Sequence, residues 1–97
     1  VLDKNNEDLW VWVVVQDPEG AEQFLGQFNE EQKVSFIPVF PDKEEAEKGL
    51  KGLAKDESLK YQVEAIRYRE IVEHASRNGF HLYVINGDGG IIEKAAP

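Results

Sequence analysis

The sequence contains no cysteine, no methionine and no threonine. Without cysteine there is no disulfide, no cysteine-based zinc site and no c-type haem attachment, and a reducing compartment, the cytoplasm, is the expected location. Without threonine, Ser35, Ser58 and Ser76 are the only hydroxyl side chains besides the phenols of Tyr61, Tyr68 and Tyr83. None of the serines lies in a Gly-x-Ser-x-Gly setting, so a Ser-His-Asp arrangement has no support. Basic residues are scarce as well, with 11 Lys and Arg against 19 Asp and Glu and a net charge of −8. The longest basic feature is Arg67-Tyr68-Arg69. A nucleic-acid binder needs clustered cations to replace phosphate counterions, and an anionic membrane surface repels a chain of this charge. Neither nucleic acid nor membrane is an expected partner. No apolar run approaches the roughly 18 residues that a spanning helix needs. The stretch Asp3–Asp8 is acidic, the reverse of a signal peptide's basic start. With Val1 first and no Met, the natural start is expected elsewhere, which leaves an upstream segment or a removed leader open.

What is present reads as globular. Apolar residues make up 41% of the 97 positions and charged ones 31%, too apolar for an acidic disordered chain. One domain is expected, large enough to bury roughly 60–70% of its unfolded surface. Its span is 9–93, between a polar lead-in at 1–8 and a tail at 94–97. Residues 1–60 hold 7 basic against 14 acidic residues and residues 61–97 hold 4 against 5, so the negative charge belongs to the first two-thirds.

Leu9–Val15 concentrates β-branched and aromatic residues, which predicts a strand. Leu9, Val11, Val13 and Val15 fall on one face and Trp10, Trp12 and Val14 on the other, so both faces need cover. Asp17-Pro18-Glu19-Gly20 is a turn. Ala21–Phe28 is contested: Ala21, Phe24, Leu25 and Phe28 keep helical spacing, but Gly20 and Gly26 weaken a helix by roughly 1 kcal/mol each. The strand reading, which we favour, puts Phe24 and Phe28 on one face. A five-residue loop, 29–33, then leads into a strand over Val34–Phe40. Pro38 assigns that strand to an edge, or itself to a bulge or strand end. Asp42 with Glu45 three residues on forms an Asp variant of the capping box, opening a helix over 42–53 with Ala46, Leu50 and Leu53 buried. Tyr61–Ile66 alternates as a strand, and Tyr68, Ile71, Val72 and Ala75 predict a helix over 68–77 that Asn78-Gly79 ends. Phe80–Ile85 and Ile91–Glu93 are strands about an Asn86–Gly90 turn. The expected fold class is α+β, a mixed and mostly antiparallel sheet of five or six strands with two helices.

The series Phe36-Ile37-Pro38-Val39-Phe40, Pro41-Asp42-Lys43-Glu44-Glu45-Ala46, then Glu70-Ile71-Val72-Glu73-His74-Ala75 and Asn78-Gly79-Phe80 resembles the SseB-like N-terminal domain group and related small bacterial domains of unknown function. The resemblance covers roughly residues 9–93. It departs at Pro41-Asp42, where the SseB-like pattern often has Thr-Ser, and at Asn86-Gly87-Asp88, where Asn-Pro-Gly is common. It implies an accessory or binding module and transfers no functional residue.

Chemistry-bearing constellations are incomplete. Glu70 and His74 share a helix face at i, i+4, but a metal needs a third and fourth ligand. Asn86-Gly87-Asp88-Gly89-Gly90 looks like a calcium loop, yet the twelfth position is Pro97, and a hairpin turn is the simpler reading. Glu30/Glu31 and Glu44/Glu45 read as solvated faces. No catalytic residue, metal ligand or cofactor is expected. Trp10, Trp12, Phe24 and Phe28 are the candidate protein-contact residues, because so small a domain has few elements to cover both faces of the tryptophan strand. The expectation is a non-catalytic binding or adaptor-type domain that contacts a protein partner or self-associates. A small-ligand or cation-binding domain is the alternative. A small enzyme, with His74 and His81 the first residues to mutate, ranks third.

Overall fold

The structure, a computed structural model, describes residues 9–95; the expected lead-in at 1–8 lies outside the described residues. The element order is β1 (Trp10–Gln16), β2 (Gln23–Phe24), β3 (Gln27–Asn29), β4 (Val34–Val39), α1 (Lys43–Leu50), β5 (Tyr61–Arg67), α2 (Tyr68–Asn78), β6 (His81–Ile85) and β7 (Ile91–Ala95). The fold is α+β. Its strands form two sheets, β2-β1-β5 and β3-β4-β6-β7, antiparallel throughout except for the parallel β4–β6 pair.

The contested 21–28 segment is extended. It pairs with β1 through Phe24 and with β4 through Gln27, so one stretch of chain changes sheet at Leu25-Gly26, a corner of the kind that joins packed sheets. This division of one expected strand raises the count to seven. Gly26 lets the Phe80 ring lie against the corner, since a Cβ there would sit 3.1 Å from Phe80 Cε1. The sheets also meet where Trp12 and Phe40 exchange both backbone bonds, at 2.9 and 2.8 Å.

β1 is covered on both faces, as its sequence requires. Val13 and Val14 point opposite ways and are 0% and 1% exposed. Val11, Val13 and Val15 pack with Ile37, Val39, Leu82 and Val84 beneath Ile71 and Ala75 of α2. Val14 and Phe40 pack with Tyr83 and Ile85 beneath Ala46 of α1. Burial of each large aliphatic side chain contributes about 1.5–3 kcal/mol.

Both helices begin where the sequence indicates. The Asp42 carboxylate accepts from the Glu45 N–H at 2.9 Å, satisfying one of the free donors of the first turn. α1 closes earlier than expected, at Leu50, where Gly52 and Leu53 both donate to the Gly49 carbonyl and tighten the last turn. Gly49 is the point of closest packing, since a Cβ would overlap the Phe40 ring. α2 ends at Gly79, whose φ of 74° is the left-handed conformation that glycine adopts without strain.

Pro38 sits near the end of β4, but β4 is internal, flanked by β3 and β6. Phe36 pairs with Gln27 of β3, and Phe40 bonds Trp12 of β1 on that same side. Pro38 lies between them, opposite the gap where β3 has ended and β1 has not begun. Its missing N–H leaves no ladder bond unmade there.

The Asn86–Gly90 segment is a hairpin turn. Asn86 Oδ1 accepts from Asp88 N and Gly90 N, both at 2.9 Å, which commits the would-be cation ligand to the turn itself. The turn is fastened to α1: Glu45 Oε1 accepts from Gly87 N at 2.9 Å, and Lys48 Nζ lies 3.1 Å from Asp88 Oδ1. Glu45 thus reaches across to the hairpin, where a capping box would have sent it back to Asp42.

Candidate protein-contact site

The four candidate contact residues lie in three places. Trp10 and Trp12 share one face of β1 by strand alternation. Trp10 is 48% exposed, and the guanidinium carbon of its cross-strand neighbour Arg67 lies 4.9 Å from its ring centroid. Such a stack holds the indole in one orientation. Trp12 is half-buried at the edge of the α1 cluster, with Lys43 Nζ 6.0 Å from its ring. Phe24 packs on the opposite side of the molecule, against the α2 cluster, its ring edge-to-face with His74 at 4.7 Å and 79°. Phe28, on β3, is 56% exposed. The sheet-switching corner between Phe24 and Phe28 parts two rings that a straight strand would have kept on one face.

Phe28 has a companion absent from the sequence reading. Ile91, at the start of β7, is 48% exposed and lines the same surface groove of about 540 Å³ together with Phe36, Leu53, Ile85 and Lys94. Phe36 stacks on the buried Tyr83 ring, with centroids 4.4 Å apart and planes 20° from parallel. The Tyr83 hydroxyl accepts from Asn29 Nδ2 at 3.3 Å, and Lys94 Nζ stands 5.5 Å from its ring. One lip is the β3–β4 turn with Glu30 and Glu31, shaped by Asn29 Oδ1 accepting from Glu31 N and Gln32 N. The other lip is the Asn86–Gly90 hairpin, fastened to α1. The signal for Ile91 was available in Ile91-Ile92, a closing strand apolar on both faces, the same feature that marks β1.

A smaller cavity of about 300 Å³ lies between β2 and α2, lined by Glu22, Gln23, Phe24, His74, Asn78 and Phe80. His74 thus borders an aromatic cleft and makes its ring contact with Phe24. Among the described residues no three His, Cys, Asp or Glu side chains converge to hold a metal ion, so the Glu70/His74 spacing gathers no further ligand. No described helix is long and apolar enough to cross a membrane.

Shifted ionisations belong to local turns. The Ser58 hydroxyl, and then its backbone N–H, hold the Asp56 carboxyl below its ordinary value. Asp88, as hydrogen-bond partner and then as charge, raises the Lys48 ammonium above its ordinary value. Asp56 lies in the connector before β5 and Lys48 on the outer face of α1. Comparison with protein-family models, curated proteins and solved structures finds no match for this chain.

Proposed function

We propose that this protein is a non-catalytic binding module, of the accessory type that an SseB-like relationship would imply, and that it grips an extended apolar segment of another protein in the Phe28–Ile91 groove. The observation that carries this reading is the exposure of two large apolar side chains in one groove of a 97-residue chain. An isolated exposed phenylalanine is ordinary surface; two large apolar residues exposed along one groove beside the Phe36–Tyr83 stack make an apolar surface of the kind that contact sites use. Glu30 and Glu31 on one lip favour a ligand with a basic residue flanking its apolar part. The cytoplasm is the proposed setting.

Selection of peptides from a random display library against the full chain tests this. Enriched peptides are expected to combine apolar and basic residues and to perturb backbone amides of Phe36, Leu53 and Ile91 in NMR titration. Phe28→Ser with Ile91→Ser should abolish their binding while leaving the denaturation midpoint near that of the parent. Absence of enrichment, or peptides insensitive to this pair of substitutions, would refute the groove. Small-ligand binding is the second reading, favoured by the Phe24–His74–Phe80 cleft; perturbations confined to Phe24, His74 and Phe80 would support it instead.

A further inference from the structure

The outer edge of β5 carries information that the groove does not. β5 is the last strand of the three-stranded sheet and pairs along its whole length with β1. Backbone bonds elsewhere fix which of its groups face outward. Trp12 spends its N–H and C=O on Phe40, and the Val14 carbonyl accepts from Leu25 N, so both residues turn away from β5. Their cross-strand partners Ala65 and Val63 therefore turn away from β1. The same phase appears at each end, where Asp17 N donates to the Lys60 carbonyl and Tyr68 N to the Leu9 carbonyl. The outward backbone groups of β5 are those of Tyr61, Val63, Ala65 and Arg67. Among the described residues the outward groups of Tyr61, Val63 and Ala65 make no backbone bond. The strand contains no proline, no glycine and no register shift, and a regular edge of this kind is a template for another strand.

We propose that β5 pairs with β5 of a second copy of this chain, antiparallel about a two-fold axis at Val63, joining two three-stranded sheets into one of six. Side-chain chemistry bears on both the partner and the register. An axis at Glu64 would set two carboxylates directly opposite each other, which is destabilising. An axis at Ala65 would set Glu64 opposite an isoleucine. With the axis at Val63, two valines face each other, Tyr61 lies opposite the small Ala65 of the partner subunit, and Gln62 lies opposite the partner subunit's Glu64. Within one chain Gln62 Nε2 already donates to Glu64 Oε2 at 2.7 Å; across the axis the same amide–carboxylate chemistry is available twice. The edge is complementary to itself.

Because these 97 residues contain no cysteine, single cysteines introduced into them report the register directly. Facing residues of a hydrogen-bonded antiparallel pair have Cα atoms about 5.5 Å apart, within disulfide reach. Under mild oxidation Val63→Cys is expected to give a covalent dimer on a non-reducing gel, and Ala65→Cys to remain single. Sedimentation equilibrium of the parent chain is expected to show a monomer–dimer equilibrium. Gln62→Lys should tighten it and Gln62→Glu weaken it, each by roughly two- to thirtyfold for two symmetry-related pairs. Gln62 is exposed, and an unchanged circular dichroism spectrum will show that the fold is intact. A parent chain that stays monomeric up to millimolar concentration overturns the proposal, as does crosslinking at position 65 in place of 63. Equal responses to Lys and Glu at position 62 overturn it as well.

Discussion

The two faces of β1 are built from the same kinds of residue but are covered differently. On one, Val11, Val13 and Val15 lie under the 11-residue α2, whose Ile71 and Ala75 are wholly buried. On the other, the 8-residue α1 covers Val14 and Phe40 but leaves Trp10 half in solvent. Beyond the end of α1, at Leu53, the groove opens. Helix length decides the difference: at 1.5 Å per residue α1 is about 4.5 Å shorter than α2. The shorter cover leaves apolar surface for contact, and the longer one closes the core.

Paired truncations address that comparison first, with the largest effect expected. Ile71→Ala, beneath α2, should lose about 2–5 kcal/mol in urea denaturation, whereas Leu50→Ala, half-buried on α1, should lose about 1–2 kcal/mol. Equal losses would mean that the two covers are equivalent and that the exposed face is not the looser one. An intermediate effect is expected from Gly49→Ala. Alanine favours the helix by about 1 kcal/mol, but its methyl would overlap the Phe40 ring, and overpacking of this kind costs about 1–3 kcal/mol. A net loss in the same denaturation assay would show that α1 is held tightly where it does make contact; a net gain would show that it can lift. The smallest effect is expected in the connector between α1 and β5. Ser58→Ala should return the Asp56 carboxyl towards its ordinary value of 3.8, followed by NMR titration. Because the folded-state value is lowered, the associated stability is present above the unfolded pKa and disappears as pH falls through the folded one. The parent and variant should therefore differ in pH dependence only in the acid range below about 4. An unmoved Asp56 titration would assign the shift to something other than the Ser58 hydroxyl, with the backbone N–H of residue 58 as the remaining donor.

Much of this arrangement is legible from local sequence. The alternation in Leu9–Val15 requires two covers, and two helices supply them. Asp42 and Gly79 mark a helix start and a helix end because capping depends on a few neighbouring residues. Strand partnership is not local. Nothing in Phe36–Phe40 or Leu82–Val84 announces that these segments run parallel, nor that residues 23–29 serve two sheets. For the candidate site, Trp10 and Phe28 are accessible, while Trp12 and Phe24 are half-buried against the core. Aromatic content at a strand face records hydrophobicity, but exposure depends on how far a neighbouring element extends, as with α1 over Trp12 and Trp10. The groove runs from Phe28 to Ile91, residues 63 positions apart, because it crosses the sheet from β3 at one edge to β7 at the other.

Pro38 has a consequence for how the sheet is assembled. A strand that slips by two residues keeps every side chain on its proper face, so hydrophobic pattern alone does not forbid that error. In β4 such a slip would bring Pro38 to the place of Phe36 or of Phe40. Either move would set a residue without an N–H opposite Gln27 or opposite the Trp12 carbonyl, stranding an acceptor at a cost of about 1–3 kcal/mol. The proline therefore acts as an indexing mark, giving β4 one alignment in which every neighbour is satisfied and a penalty one step to either side.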